Sequence, residues 1–177
     1  MRTLADLVLP GSTVALRCDF NVPLDPQGEI TDDLRIAGAL PTIRALQQAG
    51  SRVVILAHLG RPKGEVSSLS LAPVARRLSE LLGSTVAFST NPSGDQRVID
   101  SLKLGEVALL ENTRFDPRET SKDPSERAEL AAIWAKWADA FVSDGFGVVH
   151  REQASVTEFA NMLPSAAGLL VARESEV

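Results

Sequence analysis

Between Val14 and Ser143, five short apolar runs alternate with longer stretches whose apolar residues recur at helical spacing. That alternation restricts the fold more than any other feature of the chain. Strands buried on both faces read as unbroken apolar runs, and parallel neighbours must be joined by long crossovers. The pattern therefore predicts an α/β fold: a doubly wound, mainly parallel sheet of about six strands with helices on both faces.

Strands are expected at Val14 to Cys18, Arg52 to Ala57, Thr85 to Phe88, Glu106 to Leu110 and Ala140 to Ser143, with a sixth at Gly168 to Val171. The arrangement is Rossmann-like. A chain of 177 residues fits one domain, large enough to bury roughly 70% of its unfolded surface. With aromatic residues at only 5%, that core must be aliphatic.

The first helix is expected to start near Asp32 or Asp33, whose carboxylates can cap free N–H groups, and to end at Gly50. Its apolar face is Ile36, Leu40, Ile43 and Leu46. Pro41 lies inside that span and costs about 3 kcal/mol in a regular helix, which predicts a kink or a delayed start. A second helix spans Ala72 to Leu82 and stops at Gly83. A third opens on Asp123-Pro124-Ser125-Glu126, with a cap, a first-turn proline and a capping-box glutamate. Trp134 and Trp137, three apart on that helix, are read as packing. The mixed-sign stretch Arg114 to Glu129 reads as a solvated loop and helix face, and Ser89 to Asp95 as a plain surface loop.

Eighteen Lys and Arg against twenty-three Asp and Glu leave a net charge of -5, too acidic overall to hold nucleic acid or an anionic membrane surface. No apolar run is long enough to span a bilayer, and Met1 to Pro10 does not read as a secretion signal. The single cysteine, Cys18, suits a reducing compartment, so a cytoplasmic location is expected.

Against this acidic background, arginines sit where apolar runs end: Arg17, Arg35, Arg61, Arg114 and Arg151, with His58 and His150 beside them. In doubly wound sheets the loops after the strands converge on the ligand. Guanidinium forks grip phosphate or carboxylate oxygens in pairs and stay charged at any relevant pH. Each pair of like charges about 4 Å apart costs roughly 4 kcal/mol at an effective dielectric of 20, and a bound anion reverses that sign. A single arginine is usually a surface ion-pair partner; repetition at several strand ends points to a small anionic ligand. His58 is either a hydrogen-bonded loop histidine or an anion contact. Asp19 and Asn21 either shape a turn or reach a ligand hydroxyl, and spacing does not choose between these.

Other chemistries fit poorly. There is no GxxxxGK[ST] loop, Gly145-Phe146-Gly147 lacks the third glycine of a dinucleotide fingerprint, and two histidines with one cysteine lack zinc-ligand spacing. No metal site is expected.

Five ordered motifs resemble the phosphoglycerate kinase family. They are Arg17-Cys18-Asp19-Phe20-Asn21-Val22-Pro23; Ile30-Thr31-Asp32 leading to Arg35; His58-Leu59-Gly60-Arg61-Pro62; Glu111-Asn112-Thr113-Arg114-Phe115; and Asp144 to Arg151, with Leu163-Pro164-Ser165-Ala166-Ala167-Gly168 following. The resemblance covers essentially the whole chain. It implies the phosphoglycerate-binding N-terminal domain (1–165), the start of an interdomain hinge (166–177), and a nucleotide domain that this chain lacks. The family transfers a phosphoryl group between 1,3-bisphosphoglycerate and ADP in glycolysis, with magnesium. Mg-ATP or ADP would be bound mainly by the other domain, and no cofactor by this one.

By resemblance, Arg61, Arg114 and Arg151, helped by His58, hold the non-transferring phosphate of 3-phosphoglycerate or 1,3-bisphosphoglycerate. Asp19 and Asn21 position the hydroxyl and carboxylate end, with Arg17 assisting, and Arg35 is the catalytic group facing the transferring phosphoryl. The resemblance also implies a monomer that is inactive alone, because half of the site would be absent. The alternative is a free-standing, non-catalytic phosphometabolite-binding module. The chain departs from the family pattern at Gly145, often alanine; at Gln153, where a second histidine is common; at Glu152, a negative charge beside Arg151; and at Thr113, usually aliphatic.

Overall fold

The computed structural model describes residues 1–176. The apolar runs become six strands: β1 Thr13–Arg17, β2 Arg52–Leu56, β3 Val86–Ser89, β4 Val107–Leu110, β5 Ala140–Ser143 and β6 Ser165–Ala167. They form one sheet in the order β3-β4-β2-β1-β5-β6, every pair parallel. The helices are α1 Leu34–Gln48, α2 Ala72–Leu82, α3 Gln96–Ser101, α4 Pro124–Ala135 and α5 Leu169–Ser175. The expected α/β, doubly wound, Rossmann-like sheet is what the chain forms.

Strand periodicity divides the interior in two. Val14, Leu16, Val53, Ile55, Val107, Leu109 and Val142 point to one face, where they meet Ile36, Ile43 and Leu46 of α1 and Leu78 of α2. Ala15, Val54, Leu56, Ala108, Leu110 and Phe141 point to the other, against Ile99, Leu130, Trp134 and Phe159. Both faces are covered, which is why the central strands carry no polar alternation. Trp134 stacks on Phe159 at 5.4 Å and Trp137 meets its edge, so the tryptophans are packing residues as expected. Their indole nitrogens donate to the carbonyls of Pro92 and Ser93, pinning the 89–95 loop to α4 and to the turn after it, where Trp137 lies just past the helix end rather than on it; the loop is therefore more than a plain surface loop.

Several local expectations change. α1 begins at Leu34 and continues past Pro41, because its buried face outweighs one lost backbone bond. Asp32 accepts from Leu34 N at its start, while Asp33 pairs with Arg77 instead. Asp123 caps α4, but Glu126 does not close the capping box: its carboxylate takes the Ser121 hydroxyl, whose oxygen already accepts from Asp123 N.

The sixth strand lies at Ser165–Ala167, not at Gly168 to Val171, which opens α5. The reason is a tertiary cap. Asp144, one residue past β5, accepts from Leu170 N and Val171 N, and Thr42 Oγ1 accepts from Leu169 N. The boundary expected after residue 165 falls inside β6, and the last hinge position, Val177, lies outside the described residues.

Candidate functional site

β1 is flanked by β2 on one side and β5 on the other, so the chain reverses its winding direction there. Ligands of open α/β sheets bind at such a switch point, outside the carboxyl ends of the strands. Arg17 is the last residue of β1. His58 and Arg61 follow β2, Arg114 sits in the short 3₁₀ turn Thr113–Phe115 after β4, and Arg151 follows β5. Arg35 reaches in from the first turn of α1.

These groups feel one another. His58 is depressed by its burial and by the charges of Arg17, Arg114, Arg151 and Arg35, which together lower its pKa to about 2. Burial and the charges of Arg151, Arg17 and Arg61 push Arg114 down in the same sense, against Glu119. The structure thus gathers the arginines and His58 into one cationic field. His150 is exposed at its edge.

Within the cluster the residues have different stations. Arg114 is 9% exposed; its Nη1 donates to the Gly60 carbonyl at 2.9 Å, while its buried Nε has no partner. Arg61 and Arg151 are exposed. Gly60, with φ 65°, turns the chain between His58 and Arg61 in a conformation that favours glycine. Its N–H donates to Asn21 Oδ1 at 2.9 Å. Asp19 Oδ1 accepts from Asn21 N at 3.1 Å and from Arg35 Nη1 at 3.2 Å. Asp19 and Asn21 therefore do shape the turn, and the Asn21 amide nitrogen remains as a donor. Arg35, half-exposed, also donates to the Asn21 carbonyl. A cleft of about 390 Å³ adjoins Asp19 and Arg35, rimmed by Leu34, Phe146 and Gly147.

Arg17 differs from the rest. It is fully buried, and its guanidinium donates to Ser155 Oγ, to the Cys18 carbonyl and to His58 Nδ1. It is not among the residues that line the cleft. Cys18 beside it is also fully buried, and burial raises its thiol well above the usual range.

Sequence reasoning missed the groups that hold this layer. The stretch Arg114 to Glu129 is not a solvated face throughout: Glu119 is 0% exposed and Arg127 is 5% exposed. Glu119 accepts from Ser155 N and Ser155 Oγ, and Arg127 pairs with Glu158 at 2.6 Å. Glu111 and Asn112 are structural as well. Glu111 accepts from Leu71 N and Ser70 Oγ, and Asn112 donates to the Leu59 and Leu69 carbonyls, tying the His58 loop to β4. The signal for Glu119 was hidden, because a buried acid within a mixed-charge run looks like its solvated neighbours.

The departures from the family pattern also find places. Glu152 is exposed and its charge acts on Arg127. Thr113 is fully buried with an unpartnered hydroxyl, and Gln153 is 5% exposed with an unpartnered carbonyl oxygen. A Cβ at Gly145 would stand 3.0 Å from Val148 Cγ2 and 3.3 Å from Asp19 N, a close fit that would press on the Asp19 turn.

Chemically, converging guanidinium groups and a free amide donor are suited to an oxyanion. Among the described residues no group of three or more His, Cys, Asp or Glu side chains could hold a metal ion, and no helix is long and apolar enough to cross a membrane.

Residues 4–177 match the family model described as phosphoglycerate kinase. The chain is 55% identical to the phosphoglycerate kinase of Leifsonia xyli subsp. xyli, covering all of this chain and 45% of that protein. It is 56% identical to that of Bifidobacterium adolescentis, covering 98% and 44%. The crystal structure of phosphoglycerate kinase from Pyrococcus horikoshii superposes with a TM-score of 0.90 at 37% identity, over 99% of this chain and 44% of that one. The chain spans less than half the length of the curated relatives it matches.

Proposed function

Since the chain belongs to the phosphoglycerate kinase family, we propose that it is the phosphoglycerate-holding half of that enzyme. The reaction of the whole is reversible transfer of a phosphoryl group from ATP to 3-phosphoglycerate, giving ADP and 1,3-bisphosphoglycerate. The supporting observation is the cationic field itself: Arg114, Arg151, Arg35 and Arg17 all bear on one buried, uncharged His58 at the switch point of the sheet. A phosphate near -2 with a carboxylate offsets that repulsion.

In this reading Arg61, Arg114 and Arg151 hold the phosphate that does not react. Two of the three are exposed enough to close on a ligand, and the unpartnered Nε of Arg114 supplies a buried donor. Neutral His58 adds a donor without adding charge. Asp19 and the Asn21 amide meet the hydroxyl and carboxylate end. Arg35, held loosely by Asp19 at 3.2 Å, swings to the transferring phosphoryl and stabilises its equatorial oxygens. Arg17 supports His58 from below.

In this reading magnesium and nucleotide are held mainly by the part of the relatives that this chain does not span. The hinge then begins near residue 166, and the assembled enzyme works as a cytoplasmic monomer. The alternative of a free-standing binding module is not favoured, because the family model matches residues 4–177 and the relatives are 55% and 56% identical over 100% and 98% of the chain.

Calorimetry checks the reading. The chain should bind 3-phosphoglycerate saturably, Arg114→Ala and Arg151→Ala should abolish the heat, and the chain alone should show negligible ATP-dependent turnover. A folded chain that gives no heat at millimolar ligand would sink the proposal.

A further inference from the structure

A directed hydrogen-bond chain runs from a buried carboxylate to the site histidine. Glu119 lies in the 3₁₀ turn Pro117–Thr120, and Ser155 in a single π-helical turn, Ala154–Glu158, a rare geometry often found at functional sites. Both side chains are 0% exposed, as is Arg17. The Ser155 hydroxyl stands 2.7 Å from Glu119 Oε2 and 2.8 Å from Arg17 Nε. Arg17 Nη2 stands 2.9 Å from His58 Nδ1.

The donors and acceptors admit one direction. Arginine has only N–H groups to offer, so Ser155 Oγ must accept from Nε, and its single proton goes to Glu119. By the same rule His58 Nδ1 must accept from Nη2, and the proton of the neutral ring sits on Nε2. Glu119 closes the chain as an acceptor, and its negative charge offsets the burial of Arg17 more than that of any other group. The scaffold beneath is anchored: Ser155 N also donates to Glu119 Oε1, and the Arg127–Glu158 pair fixes the far end of the π turn to α4.

We propose that Glu119 and Ser155 are positioning residues which, through Arg17, hold His58 in its Nε2–H form so that the site presents it to the phosphate as a donor. The inference rests on the phosphoglycerate reading above for the identity of the phosphate alone. With the opposite tautomer, a lone pair at Nε2 would face the anion and repel it. Arg17 cannot hold the ring unaided, because a fully buried guanidinium needs its own partners in place.

The charged groups bearing on the ring are few. Arg17 comes from β1, Arg35 from α1, Arg114 from the turn after β4, and Arg151 from the loop after β5, while Asp19 acts on Arg17. Glu119 and Cys18 also act on Arg17. None of the groups bearing directly on His58 is an acid, so nothing in the cluster favours the imidazolium over the fixed neutral form.

Long-range ¹⁵N–¹H NMR of the 177-residue chain reads the ring state directly. Only two histidines are present, and His150→Gln assigns them. The expected result is a pyridine-type Nδ1 and a protonated Nε2 for His58, unchanged from pH 8 to pH 5. Ser155→Ala and Glu119→Gln, each checked for folding by circular dichroism, should give a mixture of tautomers. They should also weaken 3-phosphoglycerate binding about tenfold, the worth of one hydrogen bond to a charged acceptor. In a His58→Ala background Ser155→Ala should cost no further affinity, which a merely structural serine would not obey.

A proton on Nδ1 in the unaltered chain, or titration between pH 5 and pH 8, would overturn the proposal whether or not the variants fold. So would an unchanged tautomer in folded Ser155→Ala. Because the ring is read without ligand, the outcome is independent of whether 3-phosphoglycerate binds.

Discussion

Gly168→Ala isolates one steric contact on which the C-terminal part of the fold depends. The backbone there has φ -72° and ψ 174°, which any residue adopts, so alanine brings no conformational strain. What it brings is a methyl group placed 2.2 Å from Asp144 Oδ1 and 2.5 Å from its Cγ. Asp144 is 1% exposed and has no solvent to retreat into. Pushing it aside also releases Leu170 N and Val171 N, two of the first-turn donors of α5. Overpacking costs about 1–3 kcal/mol and a lost cap about 1, together about 2–4 kcal/mol. For a chain of this size each kcal/mol lowers Tm by roughly 2–4 °C, so thermal denaturation should fall by roughly 4–16 °C. In an Asp144→Ala background the methyl has room, and the same change should then cost less than about 1 kcal/mol. A Gly168→Ala variant melting within a degree of the parent, or an equal loss in both backgrounds, would refute the reasoning.

Two further outcomes follow from the site. Thr113→Val removes a fully buried hydroxyl with no partner while keeping the shape, so it should stabilise the chain by about 1 kcal/mol, read as a Tm rise of roughly 2–4 °C. His58 should make stability depend on pH. The unfolded ring gains its proton near pH 6.5 and the folded ring only near pH 2, so its contribution is fully present above pH 6.5 and lost as pH falls. The stability difference between the parent and His58→Gln in urea should shrink by about 1.4 kcal/mol per pH unit between pH 6 and pH 4.5, and a constant difference would contradict the assignment.

The parts of the molecule visible in the sequence were those with a repeating local cause. β5 is found at Ala140–Ser143 as expected, and Gly83 stops α2 with φ 71°, because apolar runs and a left-handed glycine act locally. The arginines were visible because they recur at strand ends. What escaped was decided by distant partners. Gly168 to Val171 has an apolar sequence compatible with a strand, but Asp144 and Thr42 cap it into a helix from 26 and 127 residues away. Glu119 looked solvated because its partner Ser155 lies 36 residues on. Arg17 looked like a ligand contact for a similar reason: its burial depends on the π turn that carries Ser155, and no local pattern announces that turn.

Amide chemical-shift mapping with 3-phosphoglycerate tests the central claim most directly. The ligand should shift the amides of Gly60, Arg61, Arg114, Phe115 and Arg151 together, saturably, and glycerate without its phosphate should leave them in place. Shifts confined to any other surface, or none at millimolar 3-phosphoglycerate in a folded chain, would contradict the assignment of the arginine cluster as a phosphoglycerate site.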